Sequence, residues 1–487
     1  MLEPLASLQN KVVKRCPGCS RINASSSLCL YCLQDITGAP SLGPDEVEAA
    51  LSEAPILRGN EGEHWLTVRK GLLLGTLALV VLFTVWLLYG IFISKPVRPD
   101  VPASTARSAA SGGSAWSTQD GDIRGMRSTT APAHVGGSEA WRVSLGAPIA
   151  TALVTDGKFV VATVQDGRLV ALDASSGKTL WTTTLSLNNP PLAAPVITGD
   201  RIYLGQREGL LFAFNAADGE EMWRWKNPEG SFESSPLVVD GVVYVFSTDG
   251  LFAFDSENGR ILWKNKFSGS YANVSPIVEG PYLLIVASDK AIVFNRETGE
   301  RALDVSFSRA QPLSIAIRDG HAVVVNGRTA TAFDASLHNP WWERVLGTSI
   351  RGGETIRSFW FRMYLNGMAP AVPLEQVLWD INRLPRRMYA AAVGHDLFVV
   401  TGRDGAVSAF NRFSGQPVWT AKVNMLVAAP IITGDGVLLT EEDRLVLLDP
   451  ATGKQNAERK VEGMRSATPV ESATYIGTLK GDVIALR

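Results

Sequence analysis

The residues of this 487-residue chain best suited to chemistry are its four cysteines, which all fall between positions 16 and 32. "CPGCSRINASSSLCLYC" spaces them as Cys16-x2-Cys19-x9-Cys29-x2-Cys32. Two Cys-x-x-Cys knuckles can supply four thiolates in a tetrahedron around Zn(II), which has no ligand-field preference and accepts soft sulfur well. With every position filled by sulfur, such a site is structural rather than catalytic. Metal binding would supply folding free energy that so short a segment cannot draw from a core. A redox dithiol pair and a site that has lost its metal remain open as alternatives. Elsewhere the titratable inventory is thin. His321 and His395 sit beside hairpin turns and His338 in a turn of a repeated motif, none within a Cys/His/Asp cluster at metal spacing. There is no P-loop, and the Gly-x-Ser strings lack a nucleophile-elbow context, so no catalytic residue is assigned. The formal net charge is −2, with no Lys/Arg block, which excludes a polyanion-binding role: no nucleic-acid partner is expected.

The elements that position the cysteines begin with a membrane segment. "GLLLGTLALVVLFTVWLLYGIFI", Gly71 to Ile93, carries no charge over 23 residues. As a helix it spans about 35 Å against a hydrocarbon core of about 30 Å. The sequence thus predicts a cysteine domain over 11–36, a cytosolic linker over 37–70 and one transmembrane helix over 71–93. Arg58, Arg69 and Lys70 before the helix nearly balance Lys95, Arg98 and Arg107 after it, so the positive-inside rule is close to a tie. Cysteine placement breaks it. No cysteine follows the helix, which suits an N-terminus in the reducing cytosol and a C-terminal part outside. The next stretch, 94–138, is rich in Ser, Ala, Thr, Gly and Pro and reads as a flexible tether.

From Ile149 onward the chain repeats with a period near forty. Turn-and-strand cores such as "DGRLVALD", "EGLLFAFN", "DGLFAFD" and "DGAVSAFN" each follow a β-branched hairpin with a Gly/Asp turn. Eight hairpins pair with eight cores, the pattern of an all-β propeller of eight four-stranded blades. A third element follows most cores: Asp173, Gly177, Trp181; Asn215, Gly219, Trp223; Asp255, Gly259, Trp263; Asn411, Gly415, Trp419. Asp or Asn can brace a tight turn, Gly permits its positive φ, and Trp can bury a ring between blades while its N–H finds a partner. Blade five keeps Ala332, Asp334 and Trp342, with His338 in the Gly position. The stretch "GGSEAWRVSL" carries Gly137 and Trp141 at the same spacing with no Ala-x-Asp before them, whereas the chain ends at "GDVIALR" with no Gly-x3-Trp after it. One repeat is therefore split between the ends of the propeller, 139–487, and Trp141 to Leu145 should form the outer strand of the closing blade.

These motifs resemble the tryptophan-docking repeat of the PQQ-type, BamB-like propellers across essentially all of 139–487. The cysteine pattern is similar to short bacterial zinc ribbons that precede transmembrane helices, with Ser20 and Leu33 where Gly usually follows each knuckle. Quinoprotein dehydrogenases of the propeller family bind PQQ on the axis with Ca(II) and an Asp base, usually beside a vicinal disulfide. The propeller here has no cysteine. The resemblance therefore implies Zn(II) as the only cofactor, PQQ not being expected, and a non-enzymatic docking scaffold at the bacterial inner membrane. Its propeller would be periplasmic or extracellular and its partners other envelope or membrane proteins. A membrane-bound PQQ-dependent oxidoreductase is the alternative, and a sensor coupling propeller ligands to the ribbon is a third.

One departure interrupts the repeat, an insertion at about 347–387. Leu374, Val377, Leu378, Ile381 and Leu384 fall at helical spacing and predict a short amphipathic helix. Trp360, Phe361, Trp379 and Arg383 make the insertion a candidate partner surface, since aromatics and Arg dominate interface hot spots. Packing of the helix on its own propeller, or against a membrane surface, are the competing expectations.

Overall fold

A computed structural model describes parts of 13–52, residues 75–85, and 115–487 apart from 186–190, 267–273, 288–289, 307–313, 328, 336–376, 382–383, 385–387, 389 and 403. The chain divides into two compact units, Met1–Ile93 and Ser94–Arg487.

In the first unit, strands Lys14–Arg15 and Ile22–Asn23 pair antiparallel, Arg15 opposite Ile22. The Lys14 ammonium donates to the Ile36 and Thr37 carbonyls, and Leu42 N–H to the Val13 carbonyl, folding 35–42 back on the hairpin. Helix α1, Pro44–Ser52, opens with Pro and two acidic residues, as a helix N-terminus favours, and the Glu46 carboxylate reaches back to Gly43 N–H at 3.0 Å. Residues 75–85 are helical. Among the described residues no helix is long and apolar enough to cross a membrane, and the rest of the expected 71–93 span lies outside them.

In the second unit eight four-stranded antiparallel sheets are described, seven of them meanders of strands consecutive in the chain. Their first strands are Val154–Thr155, Val196–Thr198, Leu237–Val239, Ile277–Glu279, Ser314–Arg318, Ala390–Val393, Ile431–Ile432 and Met464–Val470. Successive first strands lie against one another and line the axis, while the fourth strands form the rim. Seven blades take their fourth strand in sequence: Thr179–Thr184, Glu221–Lys226, Ile261–Lys266, Arg301–Ser306, Val377–Ile381, Pro417–Lys422 and Gln455–Lys460. The eighth takes Glu139–Ser144, which pairs with Asp482–Leu486, Trp141 opposite Ala485. The split repeat closes the ring by strand pairing, as its halves require. Fully buried Val, Ile, Leu and Phe of the middle strands fill the gaps between adjacent blades.

Two expectations are corrected. The insertion does not contribute an amphipathic helix over 374–384: Val377–Ile381 is the outer strand of blade five, Trp379 opposite Ala332. Five residues of mixed apolar pattern fit both periods, and the unpaired third strand of blade five decides between them. The stretch 94–138 is not tether throughout. Residues 115–138 are packed on the propeller, so the folded unit begins well before Glu139.

Candidate functional site

The first Cys-x-x-Cys knuckle forms because the chain leaves strand Lys14–Arg15 at Cys16, turns through Pro17–Cys19, and returns Ser20 N–H to the Cys16 carbonyl at 2.8 Å. Ser20 adopts a left-handed φ of 58°, the conformation for which ribbons commonly use Gly at this place. Cys16 and Cys29 are fully buried, packed with Ile36, and Cys19 is half-buried. The sulfurs of Cys16, Cys19 and Cys29 lie within 4.8 Å of one another, Cys19 and Cys29 at 3.5 Å. Three converging thiols with an apolar wall on one side fit a tetrahedral thiophilic metal. The fourth expected ligand, Cys32, lies outside the described residues.

The docking motifs build one repeated joint. Asp173 Oδ1 accepts from Ser175 and Ser176, backbone and hydroxyl, and these bonds, the Ser175 hydroxyl first, hold its pKa down to about 2. The braced turn presents the next carbonyl to the preceding blade: Trp141 Nε1 donates to Ala174 O at 3.2 Å. Trp181, Trp223, Trp263, Trp379 and Trp419 do the same to Ala216, Ser256, Arg296, Arg412 and Pro450 at 2.8–3.0 Å. Gly177 (φ 73°) lies under the Trp141 ring, where a Cβ would come within 2.6 Å of the indole. The same ring-on-glycine contact recurs at Gly219, Gly259 and Gly415. These tryptophans join blades, and Trp379, expected as a partner contact, is blade five's docking residue in place of Trp342. Trp342, Trp360, Phe361 and Arg383 lie outside the described residues.

Sequence reasoning missed two sets of residues. Tyr203, Tyr244 and Tyr475 donate to Ser256, Arg296 and Ala174, the carbonyls that also receive Trp223, Trp263 and Trp141. Burial pushes all three phenols up, Tyr244 to about 12. A Tyr recurring inside the hairpins "RIYLG", "VVYVF" and "ATYIG" was the available signal.

The other is a strap, 116–135, that runs around the axis touching the blades in order. Trp116 exchanges both backbone bonds with Thr155 of blade one, at 2.8 and 2.9 Å. Ile197, Val278, Ile317, Val393 and Ile432 of blades two, four, five, six and seven then donate N–H groups to the carbonyls of Ser117, Ile123, Arg124, Met126 and Arg127. Blade three reaches it through Ser235 Oγ and the Gln119 side chain, blade eight through Thr474 Oγ1 and the Ala133 carbonyl. Buried Asp122 folds the middle of the strap, its Oδ1 accepting from Arg124 and Met126 N–H; burial pushes its carboxyl above the ordinary range. At this end the inner edges of the first strands thus meet the chain's own backbone.

Comparison with known proteins agrees with this architecture. The family described as "Outer membrane protein assembly factor BamB" matches over 119–224, 165–310, 252–358 and 375–487, well over half of the chain. BamB of Escherichia coli K12 is 29% identical over 114 residues, 23% of this chain and 28% of that one. The quinoprotein alcohol dehydrogenase PedH of Pseudomonas putida is 30% identical over 125 residues, 24% of this chain and 20% of the relative. The chain thus spans less than a third of the length of these curated relatives. The quinohemoprotein alcohol dehydrogenase of Comamonas testosteroni shares the fold, with a TM-score of 0.55 at 12% identity over 78% of this chain and 81% of that one. With its eight blades, inter-blade tryptophans and split closing repeat, the chain belongs to the BamB-like, PQQ-type propeller family.

Proposed function

We propose that this protein is a membrane-anchored, non-enzymatic docking scaffold of the bacterial cell envelope, with a structural zinc ribbon in the cytosol and its propeller on the other side of the inner membrane. The observation that carries the non-enzymatic reading is the strap: the chain's own residues 116–135, with Trp116, Asp122 and Met126 buried, take up hydrogen bonds of the first strands, and the rim and the faces are left for protein partners. The helical stretch 75–85, with Leu77, Leu79, Leu82 and Phe83 exposed along it, supports a lipid-facing anchor. Three buried or half-buried thiols whose sulfurs lie within 4.8 Å of one another support Zn(II) as the metal the ribbon binds. Proximity labelling from a tag at each terminus tests the whole reading. Cytosolic proteins should be labelled from the N-terminus, and envelope proteins from Arg487. Identical neighbours from both ends would overturn the topology.

The match to PedH favours a second reading, a quinoprotein oxidoreductase. Incubation with PQQ and Ca(II) followed by dialysis separates the two. A quinone absorbance retained in stoichiometric amount would establish the oxidoreductase and displace the scaffold.

A further inference from the structure

We propose that the axial mouth bounded by the eight first strands is a binding site for a turn-rich polypeptide segment, and that residues 116–135 are its tethered ligand. The propeller is complete without them. Every blade has its four strands, and the ring is closed by Glu139–Ser144 on Asp482–Leu486. The strap adds no fifth strand to any sheet. It offers carbonyls, one blade after another, to N–H groups on the inner edges of the first strands, a main-chain recognition spread over several sheet edges.

The mouth also selects side chains. Trp116, 2% exposed, anchors the entry and packs with the core shared by blades one, seven and eight. Past it one position admits no side chain: at Gly125 (φ 66°) a Cβ would lie 2.8 Å from Ile277 Cγ2 and from the Ile315 carbonyl oxygen, while Ile123 and Met126 on either side are buried. Ala131 and Ala133 are buried at the exit, with Ala133 N–H on Asp435 Oδ1 at 2.9 Å. The ligand class is therefore a bent peptide with an aromatic anchor at its N-terminal end, an Asp and a Gly at its bend, and apolar side chains like Ile123 and Met126 buried beside that bend. Gly136, where the strap leaves, is exposed, and a Cβ there meets nothing within 4 Å. A segment of a partner with the same features could occupy the mouth when the strap is out.

The test keeps the full chain, purified in detergent, with a protease site inserted at Gly136. After cleavage the N-terminal fragment should stay with the propeller on gel filtration. A labelled synthetic peptide of residues 115–136 in excess should replace it once warming lets the strap amides exchange with solvent. A Trp116→Ala peptide should need at least about tenfold higher concentration. Three results overturn the proposal. The fragment dissociates at once, so that only its covalent link held it. The propeller loses its cooperative melt on cleavage, so that the strap is part of the fold. The labelled peptide is not captured although the strap amides exchange.

Discussion

Assigning Trp379 as the docking residue of blade five makes a quantitative demand on stability. Its indole stacks on Phe398 with centroids 5.0 Å apart and planes 14° from parallel, covers Gly415, and donates to the Arg412 carbonyl at 2.8 Å. A fully buried aromatic side chain removes about 200 Å² from water, or about 5 kcal/mol at about 25 cal/mol per Å². Trp379 is half-buried, so about 3 kcal/mol of that applies, and the hydrogen bond adds about 1 kcal/mol. Trp379→Ala should then cost about 4 kcal/mol and, at about 2 °C per kcal/mol for a domain this large, lower Tm by about 8 °C. Trp379→Phe keeps the stack on Phe398 and should recover most of it. Trp342→Ala, at the position the repeat spacing selects, should cost clearly less, because the joint with blade six is already filled. Differential scanning calorimetry of the three variants, checked by urea titration, measures this. A Trp342→Ala loss equal to or above that of Trp379→Ala would refute the assignment.

Three further outcomes follow from the same geometry. Asp122 is buried and its carboxyl titrates above the ordinary value, so folding favours its protonated form; the stability it contributes is full below about pH 3.9 and is lost as pH rises through the raised value. Asp122→Asn keeps the Oδ1 acceptor for Arg124 and Met126 and should flatten that part of the Tm–pH profile, and an unchanged profile would exclude Asp122 as the titrating group. The ribbon should carry one Zn(II) per chain by elemental analysis; Cys29→Ser or a strong chelator should release it and unfold the ribbon, while the propeller melt stays within about 1 °C. Deleting 480–487 removes the partner of Glu139–Ser144 and should abolish the cooperative propeller transition, whereas a parent-like melt would show that the ring closes some other way.

What was legible in the sequence is what repeats. Asp173, Gly177 and Trp181 announce a joint because the same turn must be braced, left without a Cβ and covered by a ring in blade after blade, and the orphan half-motif at Trp141 named its complement at Ala485. Trp379 escaped because the insertion falls between the third and fourth strands of blade five. The rule that counts eight residues from Asp334 then selects Trp342, although the outer strand returns only at Val377. The strap escaped for a deeper reason. Burial is usually read from a periodic run of large apolar side chains, but Trp116, Ile123, Met126 and Val135 of the strap are buried singly, at neither helix nor strand spacing, among Ser, Thr, Gly and Ala residues that read as linker. Most of its attachment lies in main-chain carbonyls, which every residue carries, so the choice of side chain records little of it. Trp116 and Asp122 stand out among the residues that depart from linker chemistry. One fills the entrance, and the other bends the chain by accepting its own N–H groups two and four residues on. A Ser/Thr/Gly-rich stretch that also holds an aromatic anchor, a buried Asp and isolated buried apolar residues, just before a propeller, therefore has a physical reading besides tether: a segment shaped to fit the inner strand edges.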